Sequence, residues 1–126
     1  MPDEPVIRVI GPRGHARAAR IRAAFPAAGR PAVVHVFAAD ARWGALASLS
    51  LAGLVWTPLG PAAPPTLWHR AYLRLVVESQ ERAGEFVREG WALGRIAVVP
   101  EGAHERESLL TLYREVASMA RWRGGR

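Results

Sequence analysis

The sequence predicts a small α/β domain: a three-layer sandwich of the Rossmann-like or flavodoxin-like kind, built on a four-stranded, mainly parallel sheet. Two observations support this prediction. Short apolar runs rich in valine and isoleucine alternate with longer stretches of helical spacing, in the order β-α-β-α-β-α-β-α. Glycine or proline separates most of these runs. Such an alternation is typical of parallel strands joined by right-handed crossovers, with helices on both faces of the sheet.

The first half of the chain contains two strongly apolar strands, each followed by a helix. Residues 6–10 and 32–38 are nearly continuous apolar runs, as in strands that are covered on both faces. A helix is predicted over residues 15–28, because the alanine and arginine that dominate there both favour helix. Asp40 suits the N-cap of a second helix that extends to residue 52.

The second half repeats the alternation after a short third strand at residues 54–57 and a proline-rich loop. Residues 67–93 have apolar side chains at helical spacing and predict the longest helix of the chain. A fourth strand at 95–99 and a last helix at 104–122 follow. The alternative is an α+β fold, in which the strand at 54–57 runs antiparallel. A single domain over residues 1–126 is expected, with flexible ends at 1–5 and 123–126.

The composition excludes several classes of protein. The 126 residues can form one hydrophobic core without crosslinks, and the absence of cysteine excludes disulfides and thiolate chemistry. The first residues are acidic rather than basic, unlike a secretory signal, and no apolar stretch is long enough to span a bilayer. These features predict a cytoplasmic protein with no membrane partner.

The turn at residues 11–15, Gly-Pro-Arg-Gly-His, is the strongest candidate for a ligand site. Its backbone N–H groups and the positive end of the following helix would both attract an anion. In a parallel sheet it would meet the loops after the other strands at one edge, where ligands bind. The candidate ligand- or phosphate-binding residues at that edge are Gly11, Arg13, Gly14, His15, Asp40, Thr57, Glu101 and His104.

No motif in the chain identifies a catalytic residue, a cofactor or a metal. The turn matches neither the P-loop nor the G-x-G-x-x-G pattern. The four histidines have no spacing typical of a metal site, so a metal centre is not predicted. His35, in the middle of a predicted strand, is interpreted as a satisfied core or sheet-face histidine.

The positive charge is concentrated in the first part of the chain. Residues 1–74 hold nine arginines and three acidic residues, whereas residues 75–126 hold eight of each. An arginine-coated, solvated helix face explains this pattern, and a nucleic-acid partner is the alternative. The candidate nucleic-acid-binding residues are Arg17, Arg20, Arg22 and Arg30.

The predicted function is therefore the binding of a nucleotide or another phosphorylated small molecule at the loop after the first strand. A sensing, binding or scaffolding role is favoured over catalysis, although enzymatic activity stays open. Two alternatives remain: an accessory protein that binds nucleic acid through its first helix, and a homo-oligomeric interaction protein without a ligand. Five tryptophans and a long apolar helix in so small a domain also predict a homodimer.

Overall fold

The computed structural model describes residues 4–25, 27–40 and 52–123, apart from the side chains of Trp68, Arg70, Trp122 and Arg123. The described part contains five strands: β1 Ile7–Ile10, β2 Val33–Ala38, β3 Gly53–Pro58, β4 Arg74–Val77 and β5 Ile96–Val98. Its α-helices are α1 Ala16–Ala24, α2 Gln80–Arg88 and α3 Glu105–Arg123. Two short 3-10 helices span Leu67–Ala71 and Leu93–Arg95. No helix in this part is long and apolar enough to cross a membrane.

The strands form one all-parallel sheet in the order β1-β2-β3-β4-β5. The α/β class is thus confirmed, with five strands instead of four. The α+β alternative is wrong, because β3 pairs in parallel with both of its neighbours. Register is continuous from Val33 opposite Gly53 to Ala38 opposite Pro58.

The additional strand, β4, lies inside the segment predicted to be one helix over residues 67–93, and that prediction is wrong. The chain there forms the 3-10 helix Leu67–Ala71, then β4, then α2. Ser79 separates strand from helix, because its hydroxyl accepts the amide N–H of Arg82 at 3.1 Å and caps α2. The left-handed Gly90, at φ +109°, follows the end of α2.

Other boundaries differ by a few residues. Helix α1 ends at Ala24, before the predicted residue 28, and Phe25 is extended. Phe25 precedes a proline, whose ring disfavours helical backbone at the preceding residue. The helix predicted over residues 40–52 lies, from residue 41 to residue 51, outside the described residues.

Two hydrophobic cores lie on opposite faces of the sheet. On the first face, α1 and α3 cover side chains that include Val33, Val55 and Val76. On the second face, α2 and the loop before β4 cover the alternate strand residues, among them Val34 and Trp56. The sandwich therefore has three layers.

The strand order constrains the crossovers. The chain moves across the sheet in one direction from β1 to β5, yet α1 lies on the first face and α2 on the second. The β1–α1–β2 and β4–α2–β5 crossovers consequently have opposite hands. The expectation of right-handed crossovers throughout, which nearly all such units obey, does not hold here.

Candidate functional site

The carboxyl ends of all five strands lie along one edge of the sheet, here called the rim. The four predicted site loops begin at this edge, and their contacts divide them into two pairs. The first rim consists of residues 11–15 and 99–105, which α1 joins on the first face. The second rim consists of residues 39–40 and 59–61, which adjoin α2 on the second face. The contacts described below join the loops within each pair.

The turn after β1 contains two glycines with different roles. A Cβ at Gly11 would lie 3.1 Å from the Cβ of Phe37, so this glycine permits close packing on β2. Gly14 has φ +81°, a left-handed conformation, and nothing lies within 4 Å of the position of its missing Cβ. Arg13, between them, is exposed and has no side-chain hydrogen bond or ion pair with another described residue. The turn thus presents a guanidinium to open space.

His15 ends this turn and caps α1. Its Nδ1 accepts the amide N–H of Ala18 at 3.2 Å, and its ring centroid lies 5.4 Å from that of Phe37. The backbone N–H groups of Ala16 and Arg17 precede the first hydrogen bonds of the helix and have no acceptor within it. These two amides belong to the positive end of the α1 dipole.

An ion-pair network joins the loops of the first rim. Arg17 Nε donates to Glu105 Oε2 at 2.8 Å, and Arg17 Nη2 donates to the carbonyl oxygen of Val99 at 2.6 Å. Arg20 donates to Glu105 Oε1 at 2.9 Å and to Glu101 Oε1 at 2.7 Å. The side chains of Arg17 and Glu105 are each 8 % exposed, so this pair is buried.

The network sets the charge state of its members. Burial by itself would raise the pKa of Glu105, but hydrogen bonds from Arg20 and Arg17 outweigh burial and lower the pKa below its usual value. The hydrogen bonds to Glu105 and Glu101 raise the pKa of Arg20. Glu105 is therefore held as an anion by two guanidinium groups, and Glu101 is paired with Arg20.

In the second rim, two backbone carbonyl oxygens accept hydrogen bonds. The N–H of Leu59 donates to the carbonyl of Ala38 at 3.0 Å, and Arg82 of α2 donates to the carbonyl of Gly60. Asp40 is exposed and interacts electrostatically with His69. Burial and the nearby Arg95 lower the pKa of His69, against the opposing effect of Asp40.

Thr57, a predicted site residue, does not face the rim. Its hydroxyl lies in the first-face core, 2.7 Å from Nε2 of His35, whose Nδ1 lies 2.5 Å from the hydroxyl of Tyr113. His35 is fully buried, and burial, assisted by Arg17, lowers its pKa to about 3. Burial raises the pKa of Tyr113. His35 is thus a neutral, satisfied core histidine, as its position in a strand predicted.

The remaining predicted residues are less connected. His104 is exposed just before α3, and its carbonyl accepts the N–H of Ser108. Arg22 is exposed and donates to the carbonyl of Val9 at 3.4 Å, at the edge of the sheet. Arg30 is exposed. With Arg17 buried in its ion pair, the arginine stripe predicted for phosphate contacts is only partly available.

A cavity of about 160 Å³ lies between α1 and α3, lined in part by Arg20, Phe25, Glu105 and Arg106. Ligand sites for larger molecules enclose several hundred Å³. Arg20 is bound by its carboxylates, and Arg106 pairs with Glu4 at 2.7 Å. We therefore place no ligand in this cavity. No group of three metal-ligating side chains occurs within the described ranges.

The sequence did not reveal the ion-pair network. Arg17 and Glu105 are 88 residues apart, so no local sequence pattern pairs them. The sequence feature that could have indicated the network is the pair Arg17 and Arg20, which lie one helical turn apart beside the loop that follows β1. Comparison of the chain with protein-family models, with curated proteins and with solved structures finds no match.

Proposed function

We propose that this protein binds a nucleotide or another phosphorylated small molecule at the turn after β1, and that its role is binding or sensing rather than catalysis. The observation that carries the proposal is the environment of Arg13. This exposed guanidinium stands between two glycines, at the carboxyl end of a parallel strand and directly before a helix. Ligands of open α/β sheets bind at this end of the strands.

The donors available to a phosphate are of two kinds. Arg13 offers a planar set of N–H groups, which suits the oxygens of a phosphate. The amides of Ala16 and Arg17 and the helix dipole add fixed partial charges that need no reorganisation on binding. The left-handed Gly14 leaves open space in which a ligand can approach the backbone.

The same contacts argue against catalysis at this site. A general acid or base must be free to exchange a proton with the substrate. Glu101 and Glu105 are engaged by Arg20, and Thr57 by the buried His35. His15 uses Nδ1 to cap α1. The rim therefore offers positive charge for binding and little chemistry beyond it.

The test is a comparison of two arginine variants. We expect inorganic phosphate, AMP or ATP to raise the melting temperature of the wild-type protein, beyond the effect of sodium chloride at the same ionic strength. Arg13→Ala should raise the dissociation constant for these phosphate compounds, measured by calorimetry, by about tenfold. This is the effect of losing one charge-assisted hydrogen bond.

Arg30→Ala is the matched control, because it removes the same charge from another exposed position. It should leave the affinity within about twofold of the wild type. Equal losses of affinity in the two variants would mean that the protein attracts phosphate by net charge alone. Absence of stabilisation by all three phosphate compounds would contradict the proposal.

The other predicted partners have weaker support. Arg17 and Arg20 are held by carboxylates, so two of the four nucleic-acid candidates already have anionic partners within the chain. The homodimer stays a prediction, for which the exposed Leu67 and Leu93, 74 % and 67 % exposed, offer apolar surface. Cytoplasmic localisation likewise stays a prediction.

A further inference from the structure

The N-cap of α1 is a histidine, which is not among the residue types that usually occupy this position. Serine, threonine, aspartate and asparagine cap helices through an oxygen acceptor. At His15 the acceptor is the ring nitrogen Nδ1, which receives the amide N–H of Ala18 at 3.2 Å. A ring nitrogen can accept only while it carries no proton.

We propose that α1 is held by an acid-sensitive cap: a proton gained at Nδ1 of His15 releases the Ala18 N–H and loosens the first turn of the helix. Nδ1 then becomes a donor that faces another donor, and the bond is lost. The imidazolium also places a positive charge at the positive end of the helix dipole. Both effects act in the same direction.

Loosening of this turn reaches beyond the cap. Arg17 lies in the first turn of α1 and holds both Val99 at the end of β5 and Glu105 at the start of α3. A loosened first turn would displace the Arg17 guanidinium from both acceptors. The cap therefore controls how firmly the two loops of the first rim are joined.

The charged and titratable groups around His15 come from each element packed against it. Arg13 precedes it in the turn, Arg17 follows it in α1, and Arg17 is paired with Glu105 of α3. From β2, His35 stacks on Phe37, the ring that His15 also contacts. Of these groups, His15 alone is a partly buried imidazole that bonds the helix backbone. Imidazole is the side chain that ordinarily changes charge between pH 5 and 8.

This inference is independent of the proposed anion site, and its test contains no phosphate. Amide hydrogen exchange of Ala18, followed by NMR, is compared at pH 7.5 and pH 5.5 after correction for intrinsic rates. The protection of Ala18 is divided by its protection in His15→Asn at the same pH, so that the acid response of His35, which both proteins share, cancels. We expect this ratio to fall by about two- to thirtyfold in acid, the range that cap removal covers.

His15→Asn is the reference because its cap does not titrate. His104→Asn removes the exposed histidine before α3 and should keep the wild-type response. A ratio of wild type to His15→Asn that is the same at both pH values would overturn the proposal. The NMR chemical shifts of the His15 ring nitrogens are a second measurement. At pH 7.5 they should show Nδ1 without a proton, and a protonated Nδ1 there would also overturn the proposal.

Discussion

The two faces of the sheet are held to their helices by different interactions. On the second face, aromatic rings of Trp56, Phe86 and Trp91 contact one another, with centroids 5.9 to 6.3 Å apart. On the first face, a buried salt bridge between Arg17 and Glu105 accompanies the hydrophobic core, together with the buried histidine described above. One sheet thus supports an aromatic layer and a layer with polar anchors.

This difference has a consequence for function. Aromatic packing responds little to salt, whereas ion pairs and buried histidines respond to protonation. On the second face, His69, whose pKa burial lowers, packs against Trp56 and Trp91. On the first face, the polar anchors join the start of α1, the end of β5 and the start of α3. The rim that offers an exposed guanidinium is therefore also held together by charged side chains.

Loss of aromatic packing on the second face should have the largest effect on stability. Phe86 is 1 % exposed, and Phe86→Ala should lower the free energy of unfolding by about 3–5 kcal/mol. Urea unfolding at low salt and at 1 M sodium chloride should give the same loss. Val87→Ala, at the exposed neighbouring position, is the control and should cost less than about 1 kcal/mol. A loss at Phe86 that depends strongly on salt would contradict the contrast.

Loss of the buried cation on the first face should rank second. Arg17→Met leaves Glu105 with Arg20 as its remaining partner and should cost about 2–3 kcal/mol, because a buried carboxylate loses part of its compensation. Urea unfolding at pH 7 measures this loss.

The double variant Arg17→Met/Glu105→Gln isolates the cause. Without the carboxylate, the missing cation should cost less, so the double variant should be more stable than the sum of the two single losses predicts. Strict additivity would mean that the two side chains do not act as a pair, and the role given to the network would then be wrong.

Acid should destabilise the protein through His35. Its pKa is about 3 when folded and about 6.5 in the unfolded chain, so on acidification the unfolded state binds the proton first. Stability is complete above pH 6.5 and is lost as the pH falls towards 3, by about 2 kcal/mol at pH 5. The lowered pKa of His69 acts in the same direction, and that of Glu105 does so at lower pH.

Denaturant unfolding between pH 7.5 and 4.5 checks this slope. His35→Gln should be less stable at pH 7.5 but should lose less stability on acidification than the wild type does. His104→Gln, on the exposed side of the first rim, should keep the wild-type slope. An unchanged slope in His35→Gln would assign the acid sensitivity to other groups.

Much of the fold was predictable because the strands are short runs of β-branched residues. The runs at β1, β3 and β5 have glycine or proline on both sides, and β2 has Pro31 before it, which marks them as strands. Strand β4 was missed because Leu75 and Val76 fit helical spacing with Trp68 and Tyr72. A short apolar run cannot be assigned by periodicity alone.

The rim loops were predictable from topology, whereas their contacts were not. The position of Gly11 to His15 at the end of a strand follows from the alternation of elements. The partners of Arg17 and of Thr57 follow from which helix covers which face, and the opposite hands of the two crossovers make that assignment unreadable from the sequence. From the distribution of charge, Arg20 was a candidate for binding nucleic acid, whereas in the structure it binds two carboxylates of the same chain.

Binding of phosphate at the turn after β1 can be followed by an NMR titration of the wild-type protein with inorganic phosphate at constant ionic strength. We expect saturable shifts of the amide signals of Gly14, Ala16 and Arg17, with the amides of Asp40 and Gly60 unchanged. Shifts that do not saturate, that follow the exposed arginines generally, or that centre on Asp40 and Gly60 would show that phosphate has no site at this turn.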